Sequence, residues 1–443
     1  MTNIVRPPGP KRKPLWGLMW DFRRDPLEFL HRVTSFGDIV FFPFGPQNLY
    51  VVNHPDYIKE VLVNHPRNFI KSRALQRAKS LLGEGLLTAE GDAHKRQRRM
   101  AQPAFHRQRM AHYAQSMVQY AAQLGDSWLN GTTLDISQEM MRLTLLIVAK
   151  TLFDAELSTQ ANELGQAMGK FVEAFKMLTL PFSEILEKLP LPSMRATNKA
   201  RELLNRTIYG IIEQRRAQLS DHGDLLSMLL MAIDEEGQGL SDVQVRDEVI
   251  TLFLAGHETT ATTLTWTWYL LSQHPEIEAK FWHELTTVLA GRLPTADDFP
   301  QLRYTEMIVA ESMRLYPPAW IMGRKVVQEL EIGGYTIPVD NVVILSPYLM
   351  HHDARYFPEP FKFDPERWQP EARESRPKHA YFPFGGGPRQ CIGEPFAWLE
   401  AVLLLATLGQ KWQLRLATKP PVLPQPLITL RSKGGMPMTL VKR

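Results

Sequence analysis

Between Ser241 and His274-Pro275 the chain offers a helix no place to stop. Ser241 followed by Gln244 has the form of a capping box, which satisfies free N–H groups at a helix start. His274-Pro275 ends the run, because proline disfavours helical geometry in the residue before it. At 1.5 Å per residue the helix between these signals is about 50 Å long, enough to cross a large domain.

The rest of the chain reads as helix-dominated around it. From about His94 to Gln273 period and composition are mostly helical, with breaks at Gly131-Thr132, Pro181, Pro190–Pro192 and Asp221–Gly223. Pro26–Phe36 reads as a short helix, and another runs from about Gly393 to Leu408. Asp38–Phe44 and Asn48–Asn53 are strand-like and separated by Gly45-Pro46-Gln47, which predicts a hairpin. Ile332–Leu345 is also strand-like, with turns at Gly333-Gly334 and Pro338-Val339-Asp340. The tail Leu427–Val441 alternates like a hairpin around Lys433-Gly434-Gly435. Strands near residue 45 are expected to pair with those near 340 or 430. A Pro-rich irregular stretch spans His351–Pro388. The expectation is a mainly α fold with small β-sheets, one domain over residues 1–443, preceded by a Pro-rich arm over 1–20.

Composition removes several function classes. One cysteine among 443 residues excludes a disulfide-braced secreted scaffold and a multi-cysteine zinc site. The balance of 51 basic and 47 acidic residues, net +4, is too mild to argue for nucleic acid. The basic residues cluster, however. Arg67, Lys71, Arg73, Arg77 and Lys79 form one acid-free stretch, and Lys95, Arg96, Arg98, Arg99, Arg107 and Arg109 another. Each reads as a solvated helix face or as a docking surface for an acidic partner. No apolar run approaches the ~20 residues of a membrane span. Prolines at 7, 8, 10 and 14 forbid a signal-peptide core, so a cytoplasmic location is expected. The stretch 14–20 could touch a membrane surface, but a packed arm is the simpler reading.

The lone Cys391 sits in FPFGGGPRQCIGEPF, just before a helix. The positive end of a helix dipole and free backbone N–H groups favour thiolate there. Glycines at 385, 386, 387 and 393 would let the backbone lie against a flat ligand. Arg389 offers a guanidinium to an anionic group. An anionic sulfur, a flat approach and a cation for a propionate are what a thiolate-ligated haem needs. A buried structural cysteine is the alternative.

The long helix has an unusual centre, AGHETTATT over 255–263. Gly256 and the threonines are poor helix formers, and a threonine hydroxyl that bonds back to a carbonyl can open a turn. A weakened middle is therefore expected around the polar pair Glu258 and Thr259. His257 reads as a packing residue. Further on, Glu311 and Arg314 share a helix face in TEMIVAESMRLYPP, among apolar neighbours.

The order F-x-x-G-x-R-x-C-x-G is met by Phe384, Gly387, Arg389, Cys391 and Gly393, and with it the chain resembles the cytochrome P450 family of haem–thiolate monooxygenases, in its bacterial soluble form. The resemblance runs over essentially the whole sequence. It implies the P450 fold, with haem b between the long central helix and the cysteine-loop helix. It implies Cys391 as the proximal iron ligand, with Phe384 beside the sulfur and Gly387 and Gly393 in the same loop. Ala255 and Gly256 would leave room for dioxygen, Thr259 would hydrogen-bond it, and Glu258 would relay protons. His94, Arg98, Arg324 and Arg389 would meet haem propionates; many relatives carry tryptophan where this chain has His94. Glu311 and Arg314, with Arg367 as third partner, would form a structural lock.

Nothing reads as a Walker loop or a Rossmann fingerprint. NAD(P)H and flavin are thus not expected to bind, and electrons must come from a separate protein, for which an acidic ferredoxin or flavodoxin with its reductase is the natural complement. No nucleic acid and no membrane span are expected. The reaction implied is insertion of one oxygen atom from O2 into a hydrophobic substrate, by hydroxylation or epoxidation. Leu252, Ala319, Ile321 and Met436 are candidate substrate contacts. LYPPAW together with AGHETTA is similar to bacterial members acting on terpenoids or carotenoids; fatty acids and polyketides are close alternatives. A haem–thiolate peroxygenase or isomerase, and a haem-binding sensor without turnover, are rival readings.

Overall fold

The computed structural model describes residues 5–11, 17–157, 159–178, 192–218, 220–233 and 237–443. Part of the expected arm (1–4 and 12–16) and the breaks expected at Pro181 and Pro190 lie outside the described residues. The long helix is Asp242–Gln273, and its capping box is formed as the sequence predicts. Ser241 Oγ accepts the Gln244 N–H at 3.3 Å, and Gln244 Oε1 accepts the Ser241 N–H at 3.0 Å. Pro275 opens the next helix, Pro275–Leu289, at a position where a missing N–H costs nothing.

The chain divides into two compact units, 78–312 with 392–443 and 1–77 with 313–391. The first is helical. The long helix packs against Ile136–Phe153, Pro192–Ala217 and Glu394–Gly409, and the Phe153 and Phe253 rings stack at 5.0 Å. Its centre is not broken. Thr259, Thr263, Thr265 and Thr267 each donate to the carbonyl four residues back, at 2.7–3.1 Å, and the helix continues through them. The expected opening is absent because each hydroxyl finds its acceptor on the existing helix and needs no displaced turn.

The tail departs from the expected hairpin. Leu430–Ser432 pairs with Pro424–Pro426, whereas Pro437–Lys442 pairs with Trp412–Leu416 and Thr133–Asp135. Gly434-Gly435 is a crossover between two sheets. The cause is Asp135, whose Oδ1 accepts the Met436 N–H at 2.9 Å. A side chain at Gly435 would put its Cβ 2.4 Å from Asp135 Oδ2, at a φ of +87°.

The second unit holds a five-stranded sheet in the order Ile39–Phe44, Gln47–Val52, Val342–Leu345, Met322–Val326, Phe69–Lys71. The predicted hairpin forms with the shorter turn Gly45-Pro46, since Phe44 opposes Gln47. Of the two partners expected for it, the segment near 340 is the one used, with Leu49 opposite Val342 in parallel register. Leu330–Ile332 and Tyr335–Ile337 make a separate ribbon about Gly333-Gly334. No helix among the described residues is long and apolar enough to cross a membrane.

Two features of these units generate predictions. In the sheet-bearing unit, a Cβ on Gly387 would lie 1.9 Å from the Leu62 carbonyl oxygen, and Gly387 has φ +65°. Gly387→Ala is therefore expected to destabilise the protein by roughly 3 kcal/mol, read by urea denaturation. In the helical unit, Glu400 is fully buried, and among the described residues neither carboxyl oxygen has a partner at hydrogen-bond geometry; the Thr260 hydroxyl is its polar neighbour and offsets its burial only in part. Burial pushes its pKa up to about 8, and that of buried Glu248 to about 7. A folded-state pKa above the unfolded value means stability is fully present below the unfolded pKa and is lost as pH rises through the folded one. The Tm of Glu400→Gln relative to wild type should thus rise steadily between about pH 5 and pH 8. A pH-independent difference would contradict the assignment.

Candidate functional site

The cysteine loop is built by backbone bonds. Gly385 N–H donates to Phe382 O at 2.9 Å, Gln390 N–H to Gly387 O at 3.0 Å, and Cys391 N–H to Phe384 O at 2.9 Å. The last bond fixes Phe384 beside Cys391. Gly385 and Gly387 both have positive φ, which a side-chain-bearing residue resists. The Cys391 thiol is exposed, three residues before the helix Glu394–Gly409. Gly393 precedes that helix and its carbonyl accepts the Ala397 N–H at 2.8 Å. The glycines were expected to serve a flat ligand together. The structure separates them: Gly387 is required by the Leu62 backbone, while Gly385 has open space, with only Met322 Cε at 4.0 Å. Arg389 is half-buried in the same loop.

Behind this loop stands His351, which sequence reasoning missed. It is fully buried, and its Nε2 accepts the Phe382 N–H at 3.0 Å. Burial holds its pKa well below the usual value, so the ring stays neutral and able to accept. Arg314, also fully buried, donates to the carbonyls of His351 (2.8 Å), Pro360 (2.6 Å) and Lys362 (3.0 Å). Arg367 donates to the Glu359 carbonyl at 3.0 Å. The irregular stretch after His351 has few ladder bonds of its own, so these guanidinium groups satisfy carbonyls that would otherwise be orphaned. Glu311 lies one turn before Arg314 on the helix Arg303–Leu315 and is fully buried as well.

The long helix presents a different surface. Its residues 257, 258 and 260–271 are buried, yet Ala255 is exposed and Gly256 and Thr259 are half-buried. With Leu252, 7% exposed, these positions share one face of the helix. Beyond Leu252 the strip carries only the small residues Ala255, Gly256 and Thr259. A Cβ on Gly256 would come within 3.0 Å of Val148 on the neighbouring helix. Thr259 Oγ1 donates to the Ala255 carbonyl at 2.7 Å. His257 is a packing residue: its Nδ1 is 3.1 Å from the Phe253 carbonyl, and its own carbonyl accepts from Thr144 Oγ1 at 2.9 Å.

Glu258 is adjacent to Thr259 but turns elsewhere. Its Oε1 accepts from Thr429 Oγ1 at 2.5 Å, Arg431 Nε at 2.9 Å and Arg431 Nη2 at 2.8 Å. Both partners lie more than 170 positions away in sequence, and no local pattern announces them. His94 (buried) and Arg98 (half-buried) lie one turn apart on the helix Gly91–Ala101. Arg324 is half-buried on the strand Met322–Val326, with Nη1 3.2 Å from the Gly323 carbonyl. Of the candidate substrate contacts, Ala319 is exposed and Ile321 half-buried. Met436 is fully buried, and its backbone is bonded to Asp135 and Ile136.

Each element, taken by itself, suits a flat thiolate-ligated group. The only sulfur of cysteine is exposed after an open glycine turn, and the uncovered strip of the long helix carries only small side chains.

Comparison with known proteins gives the same direction. The family model Cytochrome P450 matches residues 7–437. Cyclooctat-9-en-7-ol 5-monooxygenase of Streptomyces melanosporofaciens is 39% identical over 92% of this chain and 89% of its own. Pentalenene oxygenase of Streptomyces avermitilis is 35% identical over 100% of this chain and 98% of its own. Among solved structures, retinoic acid-bound cyanobacterial CYP120A1 superposes with a TM-score of 0.90 at 26% identity, covering 100% of both chains. The family's cofactor is thiolate-ligated haem b, and its members take O2 and an organic substrate. With the family match spanning nearly its whole length, this chain belongs to the cytochrome P450 family and is a monooxygenase of it.

Proposed function

We propose that this enzyme hydroxylates or epoxidises a terpenoid, with Cys391 as the iron ligand and electrons delivered by a separate protein. The observation that carries the reading is the uncovered strip Ala255, Gly256 and Thr259 on a helix that is buried along most of its length. The substrate class rests on the relatives named for pentalenene and for cyclooctat-9-en-7-ol. Carotenoids stand next, supported by the sequence likeness of LYPPAW and AGHETTA.

Haem, when bound, supplies activation of O2 for insertion of one oxygen atom into a C–H or C=C bond. The chain's own residues do the rest. Phe384 braces the sulfur, and Gly387 and Gly393 shape the loop around it. His94, Arg98, Arg324 and Arg389 would hold the haem propionates. Ala255 and Gly256 leave room for O2, and Leu252, Ala319 and Ile321 offer apolar contact to the substrate. Met436 is a further candidate contact to the substrate, although its side chain is fully buried. Thr259 Oγ1 passes protons, and Glu258 replenishes them. Glu311, Arg314 and Arg367 are structural.

A ferredoxin or flavodoxin with its reductase is the proposed donor. Exposed Lys95, Arg99 and Arg107 support an acidic partner. A cytoplasmic location accords with such donors.

Cys391→Ala should abolish the strongly red-shifted ferrous–CO band, since no other cysteine can replace it; a retained thiolate-type band refutes the assignment. Thr259→Ala should lower product formed per electron pair by roughly tenfold while substrate binding is kept. Wild-type coupling in that variant, or full turnover with peroxide alone, would favour a peroxygenase. A screen of terpenes, carotenoids and fatty acids by haem spin-state shift tests the substrate class. A response confined to fatty acids would exclude terpenoids.

A further inference from the structure

We propose that Arg431 and Thr429 form a latch on Glu258, so that the tail strand controls when this carboxyl can take up and pass on a proton. The proposal rests on the reading of Glu258 as a proton relay.

Three donors converge on a single oxygen of Glu258: the Thr429 hydroxyl and two nitrogens of Arg431 all reach Oε1. Among the described residues no hydrogen bond reaches Oε2. One oxygen is thus committed to the tail, and the other is the atom at which a proton can be held.

The latch is built independently of the carboxyl. Trp266 Nε1 on the long helix donates to the Leu430 carbonyl at 2.7 Å. Leu427 N–H and Arg431 N–H both donate to the Thr429 carbonyl, at 3.0 and 3.1 Å. Leu430–Ser432 is paired in turn with Pro424–Pro426. The backbone that carries the two donors is therefore held by bonds of its own, which distinguishes them from an incidental surface pair.

Burial gives the arrangement a direction. The Glu258 side chain is 4% exposed and that of Arg431 27%. Arg431 sits between a buried carboxylate and solvent. It carries no acceptor and does not give up its proton, so it cannot itself be the relay. It acts by holding or releasing Glu258. On release, Oε2 takes a proton from water and hands it on towards the Thr259 hydroxyl. The carboxylate then returns to Arg431, and charge and protons balance. Arg431 and Thr429 are positioning residues in this scheme.

The test uses the full chain and four variants: Arg431→Gln, Arg431→Lys, Glu258→Gln and the double variant Arg431→Gln with Glu258→Gln. The first readout needs no turnover. Without its cation, the buried carboxyl should take a proton. The infrared spectrum of Arg431→Gln should show a carboxylic acid band absent from wild type and from the double variant. The second readout is the solvent isotope effect on product formation with a surrogate donor system. It should change by about twofold or more in Arg431→Gln and return in Arg431→Lys. If Arg431→Gln lowers only the Tm, with wild-type infrared spectrum and isotope effect, Arg431 is a brace and the latch is refuted. If Glu258→Gln leaves coupling and isotope effect unchanged, it is the relay reading itself that fails. If Glu258→Gln is impaired and Arg431→Gln is not, the relay stands and the latch alone falls.

Discussion

A helix buried along most of its length is under pressure to partner the polar side chains it carries, and although Glu248 Oε1, Thr251 Oγ1, Thr262 Oγ1 and Trp268 Nε1 stay without a partner among the described residues, this pressure organises the helical unit. The long helix meets it in two ways. Thr259, Thr263, Thr265 and Thr267 turn their hydroxyls onto their own helix's carbonyls. Glu258, whose carboxylate only accepts, recruits Thr429 and Arg431 from the tail. Packing leaves Ala255 exposed and Gly256 and Thr259 half-buried, Thr259 with its hydroxyl already turned onto the helix. The strip available for chemistry is thus the complement of the surface that polar satisfaction and packing have already claimed.

The sheet-bearing unit solves the opposite problem. The irregular chain after His351 lacks regular ladders to satisfy its carbonyls. Arg314 answers with three bonds from one buried guanidinium, and Arg367 adds a fourth. His351 then passes order onward, since its ring accepts the Phe382 N–H at the root of the cysteine loop. A Glu–Arg pair spaced three apart on a helix is ordinarily worth little; here its arginine is fully buried and donates three bonds to backbone carbonyls.

Local signals were legible in the sequence. The capping box at Ser241, the stop at Pro275, the hairpin about Gly45 and the cysteine-loop motif depend on neighbours within a few residues. Non-local ones were not. Nothing around Glu258 announces Arg431, and nothing in Lys433-Gly434-Gly435 says that Asp135 will draw the chain into a second sheet. The weakened helix centre was misjudged because propensity counts a threonine's cost without counting its acceptor. His351 was hidden because a histidine in a Pro-rich stretch has no pattern. Glu400 did leave a trace, as the one acid inside an apolar run over 396–408.

The close approach of Gly387 to Leu62 joins two segments far apart in sequence. The π-helical turn Glu60–Asn64 and the cysteine loop meet backbone to backbone at Gly387, with the Leu62 side chain set against Gly386 beside it. They therefore form a single inheritable module. A cysteine loop transplanted from a relative would carry its own curvature but not its own Leu62. Chimeras that exchange the loop should keep their shape only when residues 60–64 travel with it.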